Sequence, residues 1–112
     1  MYFKDPKFEW DEVNRVAHCY VEIGKEHPQL IIGTAQCSPD DYDMCNEKTG
    51  CDIAYHRAMI KLIQWYKQYE IKPRLEALEQ LYYSMNRSKY FNPKSYENKM
   101  LQRQIRLLKN EL

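Results

Sequence analysis

The chain has 112 residues, 44% hydrophobic and 29% charged, a composition that supports one packed domain and excludes wholesale disorder. Seventeen Lys and Arg nearly balance sixteen Asp and Glu, for a net charge of +1, so no basic field exists to hold a long polyanion. No apolar run approaches the roughly 20 residues needed to span a bilayer, and the opening MYFKDPKFEW lacks the apolar centre of a secretory signal. The expectation is a cytosolic protein with no membrane partner, in which Cys19, Cys37, Cys45 and Cys51 stay reduced. Ten Tyr, two Trp and three Phe supply many flat side chains that stack while keeping a polar tip wet, which points to an interface or a pocket.

In chain order, an extended piece around Tyr2 to Trp10 reads as an edge strand, with Pro6 opposing that reading. In RVAHCYVEIG, Ala17, Cys19, Val21 and Ile23 fall on one face and Val16, His18, Tyr20 and Glu22 on the other, the period of a strand. KEHPQ is a polar connection, and LIIGTAQC supplies a second β-rich run, so the two are expected to pair as an antiparallel hairpin.

From Gly50 the period becomes helical. Tyr55, Met59, Leu62, Tyr66 and Tyr69 line one side, reinforced by Ala58, Ile63 and Trp65, and this helix, from about Cys51 to Ile71, is expected to cover the hairpin. Pro73 lacks an N–H and clashes one turn back, so a kink or a new segment is expected there, with Leu75, Leu78, Leu81 and Tyr82 as its stripe. After NRSKYF, Asn92 and Pro93 read as a cap and first-turn pair for a last helix carrying Tyr96, Met100, Leu101, Ile105 and Leu108. The whole is an α+β fold: one domain over 1–112, with an N-terminal antiparallel sheet in 1–37 and two to three helices in 50–112 packed against it.

Few constellations carry chemistry. Cys37, Cys45 and Cys51 with His56 lack the close ligand pairs of a structural zinc site, and small hydrophobes and loop thiols fit them better. Asp40, Asp41 and Asp43 could gather a hard cation, but SPDD is also a favoured turn and no Gly-punctuated calcium loop follows. His18, His27 and His56 are scattered, with no nucleophile and base in a readable motif. No enzyme, cofactor or metal is expected. Arg57 lies opposite the main stripe of its helix with Lys61, Gln64 and Gln68, flanked by Ile53 and Ile60. It is either a solvated cation or the centre of a second, smaller surface able to hold a phosphate or a partner.

The strand ending GTAQCSPDD, the Gly followed by CDIAYHRA, the helical hairpin and the late FNP resemble the first described family of anti-Thoeris phage proteins, over roughly Arg15 to Leu112. Members are sponges with an N-terminal sheet and C-terminal helices, assembled as dimers or hexamers. They sequester cyclic ADP-ribose isomers made by bacterial TIR-domain enzymes, without degrading them, and some hexamers also hold cyclic trinucleotides at separate sites. The resemblance implies a homo-oligomer in the host cytoplasm, with a small cyclic nucleotide as partner. It carries a helical Arg onto Arg57, a base-stacking aromatic onto Tyr82, where Tyr replaces the expected Phe, and a ligand-bonding Asn onto Asn92. A basic residue near the C-terminus falls on Arg106 or Lys109. From the residues alone, Asn92 reads first as a helix cap and Tyr82 as a core residue. The competing function is a small protein-binding inhibitor that occludes a host defence enzyme, which abundant Tyr and Trp would also serve.

Overall fold

The computed structural model describes residues 3–24, 27–89 and 93–112, apart from the side chains of Pro39, Asp41 and Tyr42. Asn92 and the Asp41 side chain therefore lie outside the described residues. Three strands, β1 (Lys7–Asp11), β2 (Val16–Ile23) and β3 (Gln29–Gln36), form an antiparallel sheet in the order β1-β2-β3. Three helices follow, α1 (Glu47–Trp65), α2 (Ile71–Asn86) and α3 (Tyr96–Glu111), in the expected α+β arrangement. The chain divides into two compact units, Phe3–Lys61 and Leu62–Leu112, with the division inside α1 rather than in the loop before it.

In the sheet unit, alternation does what its period requires. Ala17, Cys19, Val21 and Ile23 are buried along β2, opposite Ala35, Gly33, Ile31 and Gln29 of β3, while Phe8 and Trp10 of β1 stand across from Cys19 and Ala17. Pro6 precedes β1, where its missing donor costs no ladder bond. Helix α1 is capped by Asn46, whose Oδ1 accepts from the Thr49 N–H at 2.8 Å and whose carbonyl accepts from Gly50. It lies so close to β3 that a Cβ on Gly33 would stand 2.1 Å from the Ala54 carbonyl oxygen and 2.5 Å from the Ala58 nitrogen. Only hydrogen at Gly33 permits that approach.

Burial pushes the Cys19 thiol up to about 12, with Cys51 a smaller influence, so this core thiol is inert. The expectation of four reduced cysteines is corrected at the surface: Cys37 and Cys45 form a disulfide. A short 3-10 segment, Pro39–Met44, folds the chain back and brings their Cα atoms to 6.2 Å, within bridging distance.

In the helical unit, the main chain breaks earlier than Pro73 predicts. Helix α1 tightens into a 3-10 turn at Tyr66–Gln68, Tyr69 is extended, and α2 opens at Ile71 with Glu70 as its N-cap. Pro73 therefore sits in the first turn of α2, where no intrahelical partner waits for its N–H. Arg74 fastens the corner, donating from Nε and Nη2 to the Tyr69 carbonyl at 3.0 and 2.7 Å and from Nη2 to Lys67 at 2.8 Å. Leu75, Ala77, Leu78, Leu81 and Met85 bury one side of α2. Helix α3 is capped by Ser95, whose Oγ accepts from the Asn98 N–H at 3.3 Å, so the expected capping role of Asn92 passes to Ser95. Leu101 and Leu108 are buried on α3, but Tyr96, placed on the stripe by spacing, is 70% exposed.

Candidate ligand groove

Helices α2 and α3 are joined by only nine residues, 87–95, a connection that makes them antiparallel neighbours. Beside their buried seam each helix presents a second, mixed stripe. On α2 it comprises Glu79, Tyr82 and Tyr83, and on α3 Gln102, Ile105, Arg106, Lys109 and Asn110, both at the i, i+3, i+4 spacing that keeps side chains on one face. Together they line a groove of about 580 Å³, within the range of small-molecule sites.

The groove combines three kinds of chemistry. Tyr82 is half-buried and Tyr83 exposed, offering aromatic faces, while Ile105 forms an apolar wall. Arg106 and Lys109 are exposed cations, and Lys109 Nζ lies 3.6 Å from the Glu79 carboxylate. Gln102 and Asn110 contribute amides able both to donate and to accept. The Arg87 guanidinium lies 4.8 Å from the Tyr83 ring centroid, a cation–π contact at the α2 end. The Tyr82 carbonyl accepts from Asn86 Nδ2 at 2.7 Å, closing the last turn beneath it.

Of the residues singled out in the sequence, Tyr82, Arg106 and Lys109 come together here. Glu79, Tyr83, Gln102 and Asn110 were missed, although stepping three or four residues from Tyr82 and Arg106 along each helix finds them. Arg57 belongs to the sheet unit: its Nη1 donates to the Thr34 carbonyl at 2.7 Å, and one turn on Lys61 donates to Ile32 at 2.6 Å. The two cations cap outward carbonyls of β3, an edge strand, and so occupy acceptors that another strand would use.

Two of the three histidines are engaged locally. His18 Nδ1 stands 3.0 Å from Thr34 Oγ1 on the outer sheet face, and His56 Nε2 stands 3.1 Å from Asp52 one turn away. Among the described residues no group of three His, Cys, Asp or Glu side chains is placed to hold a metal ion, and no helix is long and apolar enough to cross a membrane. Comparison with protein-family models, curated proteins and solved structures returns no match for this chain.

Proposed function

We propose that the protein is a sponge for small nucleotide signals of the cyclic ADP-ribose type, held in the α2–α3 groove and released chemically unchanged. The observation that carries the reading is the meeting of Tyr82, Arg106 and Lys109 in one groove flanked by two amides. A purine has a flat face for a tyrosine ring, worth about 1 to 3 kcal/mol per base, and an edge that an amide reads through paired bonds. A diphosphate suits the planar guanidinium of Arg106, which can donate two parallel bonds, with Lys109 as a point charge beside it.

Glu79 bears on the chemistry. Its carboxylate repels phosphate, so a bound diphosphate must draw Lys109 away from it and leave Glu79 to accept from ribose hydroxyls. Asn92 joins the proposal through the family resemblance alone, as do assembly into a dimer or hexamer, a host-cytoplasmic setting and the holding of cyclic trinucleotides, whereas Arg57, which donates to the Thr34 carbonyl in the sheet unit, is not part of the groove.

The test is capture and release. The protein is incubated with cyclic ADP-ribose isomers, freed of unbound nucleotide by filtration, heat-denatured, and the released compound identified by mass and chromatography. Recovery of the intact isomer is expected. Recovery of a hydrolysed product contradicts a sponge, and recovery of nothing for any isomer leaves occlusion of a host protein as the better reading, with exposed Tyr83 and Arg87 as its anchors.

A further inference from the structure

The four cysteines fall into two classes. Cys19 and Cys51 are buried, whereas Cys37 and Cys45 are half-buried and stand in the wall of a separate cavity of about 190 Å³ in the sheet unit. Trp10, Arg15, Thr49 and Ile53 are among the other residues that line it.

The surroundings of Cys45 favour bond exchange. It lies one residue before the Asn46 cap, at the positive end of the 19-residue helix α1. The Arg15 guanidinium, on a residue held at φ 53°, reaches the Cys45 carbonyl at 3.5 Å. The same Nη1 is paired with Glu12 Oε1 at 2.8 Å, so the helix end is the feature that favours Cys45 as the leaving sulfur.

The fold on either side is anchored without the bond. The Cys37 N–H donates to the Arg15 carbonyl at 3.0 Å, extending the hold on β3, and α1 begins at its own cap. The cross-link therefore constrains chiefly the Pro39–Met44 segment between them.

We propose that Cys37 and Cys45 are a reversible thiol–disulfide pair in the wall of this cavity that tightens or loosens the Pro39–Met44 segment in response to the redox state of the surrounding thiol pool. An incoming thiolate, from glutathione or a dithiol protein, attacks Cys37 Sγ. The Cys37–Cys45 bond breaks and its electron pair leaves on Cys45 Sγ. A second reductant thiol then attacks the mixed disulfide and frees Cys37. In sum, two electrons and two protons pass to the pair, and the reductant departs as its own disulfide. Such a pair would be open in a reducing compartment and close under oxidation, the behaviour of redox-sensing disulfides in cytosolic proteins.

The experiment equilibrates the native chain in buffers of varied reduced-to-oxidised glutathione ratio, quenches with acid, alkylates free thiols and maps them by mass spectrometry. Cys37 and Cys45 are expected to titrate together and reversibly, with the far-ultraviolet circular dichroism native throughout and Cys19 and Cys51 labelled only in denaturant. A Cys37→Ser/Cys45→Ser double variant should be folded. Labelling of all four cysteines together on unfolding, failure of the pair to re-form in oxidised glutathione, or an unfolded double variant would each overturn the proposal.

Discussion

The two units are stabilised in different ways. The sheet unit depends on close approach: with hydrogen at Gly33 the backbones of β3 and α1 nearly touch, and a Cβ at Gly50 would meet the Trp10 ring at 2.7 Å. The helical unit depends on leucine stripes and leaves beside them a mixed groove that nothing among the described residues fills. Tight backbone packing makes a rigid support that tolerates little change. A helical pair with a polar shoulder can vary its surface while its seam holds, and that is where a ligand site can be built.

The sharpest way to break the comparison is Gly33→Ala. The added methyl would overlap main-chain atoms that cannot rotate away, so the substitution should lower stability by about 2 to 3 kcal/mol in urea denaturation. An exposed Leu107→Ala change in the helical unit, at a residue 53% exposed, should move the same midpoint by less than about 0.5 kcal/mol. Equal effects would erase the distinction between the units.

Ser95→Ala probes the helical unit more gently. Loss of the Oγ acceptor for the Asn98 N–H should cost about 1 kcal/mol, read as faster amide exchange in the first turn of α3. No change there would mean that the cap contributes nothing.

The smallest effect belongs to the β1–β2 turn. Hydrogen bonds from the backbone and side chain of Asn14, and from the Val13 N–H, hold the Asp11 carboxyl below its ordinary value of 3.8. A depressed carboxylate contributes stability that is fully present above the unfolded value and is lost as pH falls through the folded one. Amide exchange, corrected for its intrinsic pH dependence, should show protection at Val13 and Asn14 at pH 5 that weakens progressively as the pH falls below the ordinary carboxyl value of 3.8. An Asp11→Asn chain should lose that pH dependence.

Much of the scaffold was legible because it follows local period. The alternation of Ala17, Cys19, Val21 and Ile23 marked the strand face, and Tyr55, Met59 and Leu62 marked the buried side of α1, with buried Tyr66 in the turn that follows. What escaped was set by distance across the fold. Nothing near Gly33 in sequence announces that Ala54 and Ala58 will press on it, and Cys37 and Cys45 were assigned from an expected compartment rather than from proximity. Pro73 misled in another way, since a proline that interrupts a helix interior is tolerated in a first turn, and Arg74 and Tyr69 set the actual corner. Spacing also put Tyr96 on the stripe, but it is the first helical residue of α3 and stands largely in solvent. In the groove, Tyr82, Arg106 and Lys109 came from resemblance, whereas periodicity alone would have added their neighbours.

The central claim, that the helical unit holds the nucleotide, is tested most directly by calorimetric titration of cyclic ADP-ribose isomers into the parent chain and into Tyr82→Ala and Arg106→Gln variants. Each variant should remain folded, Arg106→Gln within about 0.5 kcal/mol of the parent in urea, and bind the preferred isomer about tenfold to a hundredfold more weakly. Parent-like affinity in both folded variants, or no heat from any isomer with the parent, would contradict it.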